Sequence, residues 1–123
     1  MARSAWIARA FIVLAAAVAL GTASTATAHS GIASSTPKAG SVVAAFPAGI
    51  TMSFTDRLRR VVDVQVLDAR GVDHAAAARL DPRNAARVLV RTRAPRAGSY
   101  RVRWTVQSED GHTQAGMFRF RAR

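Results

Sequence analysis

The chain has no cysteine. Disulfides and thiolate metal sites are therefore excluded, and any metal must be held by nitrogen, oxygen or methionine sulfur. Methionine is itself scarce and scattered: Met1 opens the chain, Met52 lies on the inward side of an alternating run, and Met117 lies on the outward side of another. A methionine-clustered site for a soft ion is thus missing. Acids are few, with 7 Asp and Glu against 18 Lys and Arg, for a net charge of +11. Lys38 is the only lysine, so the positive charge is almost all arginine. Histidine occurs three times, at His29, His74 and His112. No apolar run reaches the roughly 20 residues that span a bilayer. A length of 123 residues allows one domain.

The apolar run that is present sits near the start. Arg3 and Arg9 flank a short polar opening, Ala10 to Leu20 is unbroken apolar sequence, and Ala26-Thr27-Ala28 places small residues where a signal peptidase needs them. This order predicts a secretory signal peptide over residues 1–28, cleaved after Ala28, and an exported, periplasmic domain over 29–123. The competing reading is an uncleaved membrane anchor, which the shortness of the run disfavours. Arg3 and Arg9 leave with the leader, so the mature chain keeps a strong positive charge and has no further membrane span. A chain of that size can bury a modest core without disulfides.

The mature chain reads as short strands. Ile50 to Phe54, Val62 to Val66, Arg87 to Arg91, Tyr100 to Gln107 and Gly116 to Arg121 all alternate apolar and polar residues. Period-two alternation marks a strand with one buried face. In the clearest run Tyr100, Val102, Trp104 and Val106 share one side, and Arg101, Arg103, Thr105 and Gln107 the other. Turn residues separate the runs at Pro37 to Gly40, Pro47 to Gly49, Asp68 to Gly71, Asp81 to Asn84 and Pro95 to Gly98. Only Ala75 to Leu80 has the composition of a short helix. The pattern predicts an all-β fold, an Ig-like or Greek-key β-sandwich, barrel-like, of about seven short strands. The arginines fall where alternation requires a solvated residue, and the aromatics fall on buried faces. Nucleic-acid binding would want exposed aromatics or a basic helix, so it is not expected. A solvated face, or weak attraction to anionic membrane lipid or to an acidic partner, is the reading that the charge supports.

The chemistry centres on two elements. Cleavage before His29 gives a terminal histidine, whose α-amine and ring Nδ1 can close a chelate ring on one metal. An internal histidine offers only an amide nitrogen. The α-amine has a pKa of about 7.7–8.0, so a metal can displace its proton near neutrality. The second element is Asp110-Gly111-His112, where side chains two apart project the same way and glycine lets the backbone bend them onto one centre. Taken alone, Asp-Gly reads first as an ordinary hairpin turn, with His112 starting the next strand. Together the elements supply an amine, two imidazoles and a carboxylate, a set suited to Cu(II). His74, in a polar stretch before an alanine run, reads as a surface residue without the partners of a second metal site.

These residues resemble the CopC family of periplasmic copper-binding proteins associated with copper resistance. The resemblance rests on the histidine after the signal site, Ser-Thr-Pro-Lys-Ala-Gly-Ser at Ser35 to Ser41, Ile50 to Asp56, the Pro-x-x-Gly-x-Tyr-x-Val-x-Trp string from Pro95 to Trp104, and Ser108 to His112. It implies a Greek-key sandwich with a Cu(II) site near the mature N-terminus, formed by His29, Asp110 and His112. Some members carry a glutamate near the copper; Asp56 takes that place here and, one methylene shorter, is a weak or outer ligand. The methionine-rich segment of some members is missing, which implies Cu(II) alone. The implied role is a monomeric copper buffer or carrier without catalysis, with an inner-membrane transporter of the CopD type as a candidate partner. Two other functions compete: a small copper monooxygenase-like enzyme with a terminal-histidine centre, and an Ig-like interaction module without metal. Asp110 beside the metal would fill a position that oxygen chemistry needs open.

Overall fold

The computed structural model describes residues 31–123. The predicted leader, its cleavage after Ala28 and His29 lie outside the described residues. Eight strands follow in order: β1 (Ile32–Thr36), β2 (Val42–Val43), β3 (Gly49–Phe54), β4 (Leu58–Leu67), β5 (Ala75–Asp81), β6 (Asn84–Thr92), β7 (Gly98–Ser108) and β8 (Thr113–Ala122). They form two four-stranded sheets, ordered β1-β3-β6-β5 and β2-β8-β7-β4. The chain crosses between sheets after β1, β2, β3, β4 and β6, which closes the expected all-β sandwich. The strand beyond the expected seven or so is β2, a two-residue strip running parallel to the end of β8.

Alternation builds the core. Tyr100, Val102, Trp104 and Val106 of β7 are almost fully buried, as are Ile50 and Met52 of β3 and Val88 and Val90 of β6. Each side chain of this size stabilises the fold by about 1.5–3 kcal/mol on burial. Trp104 meets Phe54 of the other sheet edge-on, with ring centroids 5.0 Å apart, a favoured aromatic geometry. The Tyr100 hydroxyl donates to the Arg96 carbonyl at 2.6 Å, which anchors the entry to β7. From there β7 and β8 pair without interruption from Gly98↔Ala122 to Gln107↔Thr113. This long hairpin carries the Asp110–His112 turn at its tip.

Three expectations are corrected. Val62 does not share the buried face of Val64 and Val66: it is 47% exposed, because the register of β4 on β7 shifts between Val61 and Asp63 and the bulge turns it outward. Ala75 to Leu80 is not helical but forms β5, paired with β6 through Ala77↔Arg91, Ala78↔Val90 and Leu80↔Val88. Alanine favours helix, but a hairpin partner across the Pro82-Arg83 turn overrides local preference. His74 is not a surface residue. It is 2% exposed, and its Nε2 lies 3.0 Å from Asp68 Oδ2. Its Nδ1 lies 3.1 Å from the Arg93 carbonyl oxygen and 3.0 Å from that of Ala94. Phe46 and Tyr100 pack on the ring.

Candidate metal centre

The tip of the β7–β8 hairpin is a tight, internally bonded turn. Ser108 N–H donates to the His112 carbonyl at 2.8 Å and Gly111 N–H to the Ser108 carbonyl at 2.9 Å. Gly111 has φ +91°, a left-handed conformation that glycine adopts without strain. Glu109 ties the turn to the β3–β4 connection, through its N–H on the Arg57 carbonyl at 3.0 Å and an ion pair with Arg57 at 3.1 Å.

Within this turn Asp110 and His112 come together as the sequence predicts. Asp110 Oδ1 accepts the His112 N–H at 3.1 Å and Oδ2 accepts its Nδ1–H at 2.8 Å. The second bond fixes the ring orientation and holds the imidazole beside the carboxylate. The pair perturbs both groups: the bond from His112 holds the Asp110 carboxyl below its ordinary pKa, and the bond to Asp110 raises that of the imidazole. Both side chains are well exposed, His112 82% and Asp110 64%, so an ion reaches them from solvent.

Asp56 is joined to this turn through Gln114. Gln114 Nε2 donates to Asp56 Oδ2 at 3.2 Å and to Ser108 Oγ at 2.8 Å. Asp56 makes no hydrogen bond to Asp110 or His112 among the described residues. The other amide atom, Gln114 Oε1, is buried and has no hydrogen-bond partner. It lies against Gly31, where an added Cβ would collide with it. The Gly31 carbonyl in turn accepts the Thr55 N–H at 2.6 Å. The start of the described chain, the Thr55-Asp56 segment and the foot of the His112 turn therefore meet around one glutamine. Gln114 and Ser108 carry this junction. Ser108 opens the Ser108 to His112 string of the sequence without a role read for its side chain, whereas Gln114, two residues after His112 and so on its side of the strand, is not singled out.

Among the described residues no group of three or more His, Asp or Glu side chains could hold a metal. Asp110 and His112 provide one carboxylate and one imidazole, a donor pair that fits a borderline ion but is incomplete. His74 cannot contribute, since both its ring nitrogens are engaged by oxygen acceptors.

A family model of the CopC domain matches residues 32–123. Among solved structures, the chain is similar to CopC from Methylosinus trichosporium OB3b, with TM-score 0.63 and 24% identity over 74% of this chain and 90% of that one. It is also similar to PcoC of Escherichia coli, described as a copper resistance protein, with TM-score 0.60 and 27% identity over 75% of this chain and 98% of that one. A second PcoC structure, described as a methionine-rich copper resistance protein, matches with TM-score 0.61, 27% identity and coverage of 75% and 96%. No curated protein matches the chain in sequence. The match to the family model spans every strand of the sandwich, and the chain belongs to the CopC family.

Proposed function

We propose that this protein is an exported copper-binding protein that buffers or carries Cu(II) outside the cytoplasm, without catalysis. The α-amine and ring of a terminal His29, the imidazole of His112 and the carboxylate of Asp110 would hold the ion, and Asp56 would act behind them through Gln114. CopC-family membership and the likeness to PcoC, a copper resistance protein, support copper as the cargo. The observation that carries the site is the junction at Gln114. Gly31 lies against a side chain that is hydrogen-bonded at the foot of the His112 turn. Two residues of extended chain reach about 7 Å, so His29 would lie within that distance of Gly31. The donor set is nitrogen and oxygen, which favours Cu(II) over Cu(I). In this reading the protein acts as a monomer in the periplasm, and an inner-membrane transporter of the CopD type is a candidate recipient.

The free amine provides the test. Adding one alanine before His29 keeps every side chain but converts the His29 amine to an amide. Cu(II) affinity is expected to fall at least about tenfold, the scale for disturbing even a supporting contact of a metal site, and the copper spectrum to shift toward fewer nitrogen donors. Unchanged affinity and spectrum in a competition titration would remove His29 from the site. N-terminal sequencing of exported material checks the premise that the chain begins at His29.

A further inference from the structure

The outer face of the β2-β8-β7-β4 sheet carries a feature that copper binding does not use. Arg101 of β7 and Arg119 of β8 are direct cross-strand partners. Like charges set opposite one another destabilise a strand pair. Arg103 and Arg121 continue the same face two residues along each strand. All four side chains are exposed, and none forms an ion pair among the described residues, whereas Arg57, Arg70 and Arg87 do. The acids nearby are Asp63, on β4, and Asp68, which is already engaged by Arg70 and His74. The other sheet also bears exposed arginines, but Arg79 stands opposite Leu89, and Arg91 lies between Gly49 and Ala77. Opposed arginines are a property of one face.

Hollows open beside these arginines, each with one acid in its lining, Asp68 in one and Asp63 in the other. Two adjoining hollows of about 390 and 490 Å³ share Arg101. Small residues, Ser99 in one and Ala115 and Gly116 in the other, leave space beside the guanidinium groups. Val42 and Met117 rim the hollows and are 54% and 48% exposed. Guanidinium binds phosphate oxygens in a bidentate fork. Neighbouring cations spread across a sheet, about 5 Å apart between strands, suit many anions presented on a surface better than one anion in a cleft. Exposed apolar side chains among the cations add the second component of interfacial binding.

We propose that this arginine face docks the protein onto an anionic phospholipid surface, with lipid phosphates seated beside Arg101 and Arg119. The face is centred near the start of β7 and the end of β8, while the Asp110–His112 turn lies at the opposite end of that hairpin, about 20 Å along the strands. Docking therefore leaves the candidate metal centre open, and the proposal stands whether or not copper binds there.

Co-sedimentation of the purified metal-free protein with vesicles decides it. Binding is expected to vesicles of phosphatidylcholine mixed with phosphatidylglycerol, not to phosphatidylcholine alone, and to weaken as salt rises. The variant R101Q/R103Q/R119Q/R121Q should bind at least about tenfold more weakly. The variant R79Q/R83Q/R91Q/R93Q, with the same net charge, should keep most of the binding. The double variant R101Q/R119Q removes only the opposed pair; its thermal unfolding should be undiminished and its vesicle binding reduced. Equal loss in both quadruple variants would reduce the effect to net charge and overturn the assignment of the face. Absence of binding to the anionic vesicles would overturn it outright. Tighter capture of soluble polyglutamate than of vesicles, lost in the same variant, would reassign the face to an acidic polypeptide and overturn the lipid assignment.

Discussion

His74 is buried, with its ring nitrogens held between the Asp68 carboxylate and the carbonyls of Arg93 and Ala94. Removing one partner of a buried hydrogen bond leaves the other unsatisfied, at about 1–3 kcal/mol. His74→Ala should fall near the lower end, since Arg70 still pairs with Asp68; urea unfolding measures it, and Cu(II) affinity should not change. The bond from His74 is the main cause holding the Asp68 carboxyl far below the usual range, helped by the backbone of Val72 and by Arg70. A depressed folded-state pKa gives stability that is fully present above the unfolded value of about 3.9 and is lost as pH falls below it. Asp68→Asn should therefore flatten the acid limb of the stability profile. At the exposed pair the shifts run in the matching sense, with Asp110 lowered and His112 raised. In the metal-free protein, NMR titration should place His112 above the ordinary value of about 6.5, and Asp110→Asn should return it toward that value.

At the scale of elements, the entry to β1 is where geometry is least forgiving. Gly31 has φ +43° and Gly40 has φ +78°, so alanine at either position is strained by roughly 1–2 kcal/mol. Only at Gly31 would the new methyl also strike Gln114, whose amide is held by Asp56 and Ser108; at Gly40 the space is open. Gly31→Ala should thus lower both stability and Cu(II) affinity, and Gly40→Ala stability alone, as thermal melts and copper titration would show. The same junction shows what a sequence can disclose. The strand β7 is legible because Tyr100, Val102, Trp104 and Val106 obey one local period, and the Asp110–His112 contact because it spans two residues and a glycine. Val62 misleads because a bulge in pairing with a distant strand breaks the period. Ala75 to Leu80 misleads because β6 supplies a partner stronger than alanine's helical preference. His74 misleads because its partners lie six to twenty residues away. Gln114 is a generic polar residue until the fold brings Asp56 and Gly31 to it.

At the scale of the whole molecule, the proposed ligands come from both sheets. The chain before Gly31 leads into β1 of the β1-β3-β6-β5 sheet, while Asp110 and His112 sit on the β7–β8 hairpin of the other. A copper ion held by His29 and His112 would staple the two layers of the sandwich at one end. The unfolded chain lacks that geometry, so binding free energy adds to folding free energy. At free Cu(II) about a hundredfold above its dissociation constant the gain is about 2.7 kcal/mol. For a domain of this size each kcal/mol moves the melting temperature by about 4–8 °C, so calorimetry should show a rise of roughly 10 °C or more that grows with copper concentration. The protein with an added alanine before His29 should show a smaller rise, because the chelate is broken, and His112→Ala a smaller one still, because the second sheet has lost its nitrogen donor. His74→Ala should melt lower throughout yet keep the full copper-dependent rise, since its contacts lie in the core and not across the staple. A melting temperature indifferent to Cu(II), or a full rise in His112→Ala, would mean that no ion joins the sheets at this end.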